Sequence, residues 1–517
     1  MSRLGTLRRR ILPLILMTSA VGCDWGSKPA LPPAHPFKGV TLVIAAVGDP
    51  AVLPTLSAQR GEWSANRGGE ITIREKPVAP RSAEAKQADL LLFRGDRLGE
   101  LVDAGLLLDL PESLVRPPAA PESPESTNEG ETSAEAPPDP LRYSDVVPAY
   151  RDQVTKYGNV RLGLPYGGTA LVLVYHRDAF EGDANRTAAK EAKLELKPPE
   201  TWEQLDALAK FFQGRDWNQD GKPEAGITLA LGPDPEGLGE ATYLARAASL
   251  GQHHDQYSFL FDADTMAPRI DTPPFVEALE KHSALKASGP SGVESFDAGA
   301  ARRAFAERKA AILIDRAERA GSWGDGKAIG VAPLPGSERV FDPARQQFET
   351  STAPNRPAYL PDGGGWLVAV CTAAAGPKRE AAMDFAKYLV TPEVANRVRA
   401  DPAFPILPVR TSLIGQGPAD SRASLGVDPR QWSDAVSRTL QAPRVVPGLR
   451  IPDTAGYLAD LAKGRAAALQ GESAQAALQG VARAWTARSE QRGLKRQLWH
   501  YRRSLNSLTT SPQPPPP

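Results

Sequence analysis

Three short apolar runs, spaced by helix-length segments, constrain the fold more than any other feature of this sequence. Val40 to Ala46 reads as a buried strand ending in Gly48-Asp49-Pro50. A helical stretch from Leu53 to Asn66 stops at Gly68-Gly69, and Ile71-Thr-Ile-Arg-Glu follows as a second strand. Asp89-Leu-Leu-Leu-Phe93 is a third strand, with a helix through Leu98 and Leu101 behind it. Strand, helix, strand at this spacing implies parallel α/β units. With 41% hydrophobic residues in 517 the chain builds a large core, and its length predicts two domains.

The pattern breaks at Arg116 to Pro140, which holds seven prolines and six acidic residues but no Val, Ile, Leu, Met or aromatic side chain. Such a segment buries too little surface to offset its ordering entropy and is expected to be a disordered surface insertion. Regular structure resumes at Leu141. Leu162-Gly-Leu-Pro-Tyr-Gly-Gly leads into a strand from Ala170 to Tyr175. Thr201-Trp-Glu-Gln204 is a capping box that opens a helix to Phe212. Helices are predicted at Pro274 to Ala287, Gly299 to Arg308, Lys378 to Leu389 and Glu393 to Ala400, with strands at Ala310 to Asp315 and Trp366 to Val370. From Ala455 to Leu505 the pattern is helical with a pause near Gly471, and 507–517 reads as a disordered tail.

The N-terminus sets the compartment. Arg3, Arg8, Arg9 and Arg10 precede a short apolar run, Ile11 to Gly22, that is interrupted by Pro13 and too short to span a bilayer. Residues 1–22 therefore read as a signal peptide. Ala20-Val21-Gly22-Cys23 resembles a bacterial lipoprotein cleavage site, although Ala20 stands where Leu is usual. That implies lipid on Cys23, followed by a Pro-rich tether over 23–38. The only other cysteine, Cys371, ends an apolar run and reads as a buried small hydrophobe. The formal charge of zero includes the leader's arginines, so the remainder is mildly acidic and gives no sign of nucleic-acid binding.

Several blocks in order carry a family resemblance. Asp89-Leu-Leu-Leu-Phe-Arg-Gly-Asp-Arg-Leu-Gly with Asp103-Ala-Gly-Leu-Leu-Leu-Asp-Leu, Pro198-Pro-Glu-Thr-Trp-Glu-Gln-Leu, Phe305-Ala-Glu-Arg-Lys-Ala-Ala-Ile-Leu-Ile-Asp and Ile329-Gly-Val-Ala-Pro-Leu-Pro are four of them. Gly363-Gly-Gly-Trp366 through Tyr388-Leu-Val-Thr-Pro-Glu and the closing Gly471-to-Leu505 helices complete the series. Together they resemble extracellular solute-binding proteins of ABC importers, of the maltose-binding, sugar-type family, in lipoprotein form. The resemblance implies a type II periplasmic-binding-protein-like α/β fold: two lobes, each a mainly parallel sheet flanked by helices, joined by a multi-segment hinge. It places 39–165 plus 333–400 in an N-terminal lobe and 166–332 plus 401–506 in a C-terminal lobe, with crossings near Gly163–Tyr166, Gly330–Leu334 and Ala403–Pro408. It also implies a monomer that captures a small solute, most simply a carbohydrate, and delivers it to ABC permease subunits. The expected location is extracytoplasmic and membrane-anchored: the periplasmic face in a two-membrane bacterium, the cell surface otherwise.

Candidate ligand residues follow from strand ends. Asp49 follows the first strand, and Arg94, Asp96 and Arg97 follow the third. In maltose-binding relatives residues matching Asp96 and Arg97 contact sugar hydroxyls, and an aromatic matches Phe93. A carboxylate accepting hydroxyl protons and a guanidinium donating to oxygens suit a polyol. Tyr166, ahead of two glycines, reads either as a stacking platform or as a packed tyrosine. Asp315, Arg316 and Glu318 stand where relatives often carry Gly-Pro-Trp, and Trp323 is a candidate replacement platform. Gly364 and Gly365 are candidates for a loop that approaches the ligand, with Trp366 either stacking or in the core. Arg444 and Arg450 are weaker candidates ahead of the last helices.

Asp216, Asn218 and Asp220, followed by Gly221, match the first half of a calcium loop. The twelfth position is Ile227 and Glu224 occupies the ninth, so the segment reads as a possible structural calcium site or as an Asx-rich turn. No cofactor is required by any motif. There is no Gly-x-Ser-x-Gly, no phosphate-binding loop and no metal-spaced histidine set. Two further functions stay open: a lipoprotein that presents ligand to a sensor, and a secreted polysaccharide hydrolase with paired carboxylates.

Overall fold

The opening apolar runs pair side by side. In the computed structural model, which describes residues 35–115, 141–324, 329–418, 426–507 and 514–515, strand Thr41–Ala46 lies parallel to Glu70–Ile73 and to Leu90–Arg94. Gly365–Val370 runs antiparallel to Leu90–Arg94, and Leu164–Gly168 closes the five-stranded sheet. The predicted leader 1–22, Cys23, and the insertion 116–140 lie outside the described residues, as do most of the tether 23–38 and of the tail 507–517.

A second, four-stranded sheet has the order Ile329–Pro333, Leu171–His176, Ala310–Arg316, Ala225–Thr228. Its last pair is parallel and the others antiparallel. Two lobes of α/β structure result, each sheet mixed, because the chain enters each lobe more than once and from both ends. Leu171–His176 is buried along its whole length. Alternation sends Leu173 and Tyr175 toward Trp202, Leu205 and Phe212, and Val172 and Val174 toward Phe305 and Trp323 on the other face. Burial on both faces is why this strand reads as a continuous apolar run. The helix Trp202–Phe212 starts as predicted: Gln204 N–H donates to Thr201 Oγ1 at 3.2 Å, and Glu200 N–H donates to Gln204 Oε1 at 2.8 Å.

The crossings differ from the expected positions. The first changeover falls between Gly168 and Leu171, so Tyr166 belongs to the first sheet. Ile329–Pro333 does not lead back to the first lobe. A hairpin, Ser337–Asp342 with Gln347–Asn355, intervenes and packs on helices Leu238–Gly251 and Pro273–Ala284 of the second lobe. Its alternation is mostly polar on the outer strand, which hid it in the sequence. The return is made by Ala358–Leu360, which pairs with Val445–Pro447. Leu407 N–H still bonds Gly168 O at 3.0 Å, so 403–408 stays in the first lobe. The last helix, Leu494–Ser504, also comes back to the first lobe, where Tyr157 Oη donates to the His500 carbonyl at 2.9 Å.

Arg450 ties this return in place and is not a ligand contact. It is 1% exposed and donates to the carbonyls of Gln153 at 3.1 Å, Val154 at 3.0 Å and Lys156 at 3.2 Å, and to Ser504. Burial lowers its guanidinium to about 10, with Tyr157 opposing. Arg444 likewise donates to backbone, at Gln256 O, 2.7 Å. Arg450→Met keeps the volume and leaves those carbonyls unpaired, so chemical denaturation should show a loss of about 3 kcal/mol; an unchanged midpoint would mean that water replaces the guanidinium.

Candidate ligand-binding cleft

The loops at the carboxyl ends of the first-sheet strands face the second lobe across a cavity of about 540 Å³, within the range of small-molecule sites. Asp49, Arg94, Asp96 and Arg97 line it from the first lobe, as predicted from strand ends. Asp234, Glu236 and Glu240 line it from the second lobe, and Tyr359 and Asp362 from the returning segment. None of these five follows a strand predicted from the sequence. Asp234 and Glu236 also follow a strand, Ala225–Thr228, so the same rule applied to that strand finds them.

Asp362 is the electrostatic centre. Arg94 Nη1 donates to its Oδ2, and Arg316 reaches both oxygens, at 3.0 and 3.3 Å. Burial raises its carboxyl, but Arg316 and Arg94 outweigh that and hold it below the usual range. Arg94 also pairs with Asp49 at 2.9 Å and lies over the Trp366 ring, 5.6 Å from its centroid. Arg316 donates to Thr169 Oγ1 at 3.0 Å and to the Glu236 carbonyl at 2.8 Å. One chain of ion pairs, Asp49–Arg94–Asp362–Arg316, thus runs from the first lobe into the second. The backbone permits it: Asp362 has φ 54, and a Cβ on Gly95 would stand 2.4 Å from Gly363 O.

Asp96 is differently placed. Its Oδ1 is buried without a hydrogen-bond partner among the described residues, and Arg97 is 3.8 Å from its other oxygen. Burial pushes its carboxyl up to about 6; Arg97 opposes and Asp362 adds to the rise. The residue lines the cavity, and its Oδ1 is a buried acceptor without a donor among the described residues.

Other predicted contacts lie elsewhere. Phe93 is fully buried in the first-sheet core, since neighbours on a strand point to opposite faces and Arg94 takes the cleft side. Tyr166 is 3% exposed against Phe404, centroids 6.2 Å apart. Trp323 is fully buried and donates to Asp315 Oδ2 at 2.7 Å. Asp315 is itself buried, paired with Arg302 at 2.8 Å. Trp366 is 5% exposed, between Arg94 and Phe404. Gly364 and Gly365 are buried, and an added Cβ would strike Val154 at 2.3 Å and the Gly167 carbonyl at 2.4 Å, so both are needed for packing. Arg316 is buried and pairs with Asp362, which lines the cavity.

Glu318 lines a second, larger interlobe cavity of about 720 Å³, with Arg302, Arg319, Asp401 and Ile406. Glu236 separates the two, accepting from Arg302 at 2.9 Å and Arg319 at 3.2 Å. Each cavity has one buried carboxylate oxygen without a partner among the described residues, Asp96 Oδ1 in the smaller and Glu318 Oε2 in the larger; the smaller is the better site because the first-sheet strand ends meet there. Metal candidates lie apart from it. Asp216 and Asp220 sit at the opposite end of strand Ala225–Thr228 from Asp234; His253 and Glu349 pair with each other at 2.8 Å.

A family model described as bacterial extracellular solute-binding protein matches residues 78–421. A comparison with curated proteins found no match. Among solved structures, an ABC transporter solute-binding protein from Agrobacterium radiobacter in complex with ribitol is similar, at TM-score 0.58 and 19% identity, over 88% of this chain and 100% of that one. The sugar-binding protein MalE from Xanthomonas citri aligns at TM-score 0.57 and 15% identity, over 88% and 99%. An Agrobacterium vitis solute-binding protein with bound D-mannitol aligns at 0.54 and 17%, over 88% and 99%.

The raised Asp96 carboxyl fixes a pH dependence. Below about pH 4 it is protonated folded and unfolded alike; between about 4 and 6 the folded chain alone keeps the proton, so its contribution to stability falls as pH rises through that window. Asp96→Asn should therefore gain roughly 1–3 kcal/mol over the parent above pH 6 and nothing below pH 4. Paired denaturation curves across pH check this, and a pH-independent difference would refute it.

Proposed function

This chain belongs to the bacterial extracellular solute-binding protein family, and we propose that it captures a small polyhydroxylated solute between its lobes and delivers it to an ABC permease. The observation that carries the reading is the Asp96 Oδ1 acceptor, buried at the cavity and without a partner among the described residues. A hydroxyl group supplies the missing donor. Around it stand Asp49, Asp234, Glu236 and Glu240, each already bonded within the protein, and Arg97, which offers donors.

The lining also bears on the class of solute. Tyr359 is the aromatic residue there, and it is 6% exposed. Stacking of successive sugar rings is thus less well served than hydrogen bonding to a compact sugar or linear polyol. Structures of similar fold hold ribitol, D-mannitol and maltose, so they support a polyhydroxylated solute. Binding, and not turnover, is the proposed activity, in keeping with family members that are solute-binding proteins. We assign an extracytoplasmic location, with lipid on Cys23 and a proline-rich tether holding the two lobes near a membrane partner.

Thermal-shift assays of the purified protein with ribitol, mannitol and monosaccharides should show a rise for at least one of them. A ligand at a hundred times its Kd adds about 2.7 kcal/mol. Asp96→Ala should abolish the rise. Shifts with amino acids or peptides alone would sink the assignment. Radioactive palmitate should label the native chain in its bacterial host but not Cys23→Ala; equal labelling would remove the anchor from Cys23.

A further inference from the structure

The loop between helix Trp202–Phe212 and strand Ala225–Thr228 gathers carboxylates far from the cleft. Oxygens of Asp216, Asp220 and Glu224 all lie within 4.8 Å of one another. Oxygen ligands of one calcium ion, each about 2.4 Å from it, are separated by no more than about 4.8 Å. Asp216 and Asp220 are exposed, but Glu224 is 8% exposed and its Oε2 is buried without a hydrogen-bond partner among the described residues. A buried carboxylate held close to two further carboxylates is costly unless a cation joins them.

Among the described residues no neighbouring cation is arranged to do this. Arg215, adjacent to Asp216, donates to Phe211 O at 2.7 Å and lies over the Phe211 ring. Lys222 is exposed. The loop is nevertheless well anchored. Trp217 is 1% exposed and stacks on His176, centroids 5.2 Å apart, and Asn185 donates to its carbonyl at 2.9 Å.

We propose that Asp216, Asp220 and Glu224 form a calcium site that clamps this edge of the second lobe. Asn218 and the Lys222 carbonyl occupy the alternate positions that complete an oxygen shell. Glu224, at the ninth position, takes the place of the usual twelfth-position carboxylate. The clamp is structural and independent of the solute in the cleft.

The test uses full-length protein stripped with chelator. Extracellular calcium modules bind at around 10⁻⁴ to 10⁻³ M, so CaCl₂ is titrated to about 10 mM by calorimetry and by thermal melting, with MgCl₂ as control. One site and a higher Tm with calcium than with magnesium are expected. Asp220→Asn and Glu224→Gln should each weaken binding at least tenfold. Apo Glu224→Gln should melt no lower than the apo parent, because it relieves repulsion. Absence of calcium-specific heat and stabilisation, or full retention of both in the two variants, would overturn the proposal. So would an apo Glu224→Gln that melts lower while calcium leaves the parent unmoved, since Glu224 would then act as an ordinary hydrogen-bonding residue.

Discussion

Asp362 sits where the chain returns from the second lobe to the first, and two guanidiniums converge on it. Arg94 ends a first-sheet strand, and Arg316 ends the second-sheet strand Ala310–Arg316. A carboxylate this buried is costly without partners, so its position fixes both strand ends relative to the crossing. Gly363, Gly364 and Gly365, all at positive φ, let the backbone press against Gly95, Val154 and Gly167 and deliver Asp362 to that point. Cavity shape, the stacking of Arg94 on Trp366 and the placement of Glu236 all depend on this arrangement.

Charge is distributed unevenly around it. Arg94 and Arg316 are consumed by Asp49 and Asp362, and Arg302 by Asp315 and Glu236. Asp96 in the smaller cavity, like Glu318 in the larger one, keeps an oxygen without a partner in the described residues. Structural ion pairs and a free acceptor thus coexist within one wall. The first set holds geometry; the second is the acceptor that the proposed function assigns to a solute hydroxyl, because a bond to a charged group offsets more desolvation than a neutral one.

The strand-end rule made the first-lobe half of this site legible. Thr41–Ala46 and Leu90–Arg94 announce themselves as apolar runs, and the charged residues just past them reach the cleft. The second-lobe half was hidden because Ala225–Thr228 is four residues long and follows a polar turn, giving periodicity little to work on. Asp362 was hidden for another reason: its partners Arg94 and Arg316 are 268 and 46 residues away in sequence. The aromatic candidates went to the core because a strand's period of two separates Phe93 from Arg94, and no local pattern says which face meets the cleft. The hairpin 337–355 moved the second crossing, since its outer strand is polar and lacks a core-facing stripe.

The nature of the interlobe contact constrains how such a molecule opens. Arg316 is 5% exposed and Asp362 21%, so the pair is sheltered while the lobes are together. Separating them admits water, which restores hydration to both charges, and exposed ion pairs contribute only about 0–1 kcal/mol. The net cost of parting that contact is therefore small compared with its Coulomb attraction in the closed cleft. A solute that touches Asp96 on one side and Glu236 on the other bonds fully only when the lobes are together, and its differential affinity sets the closed population. In the function proposed above, the ion pairs give closure its register and the solute gives it its free energy.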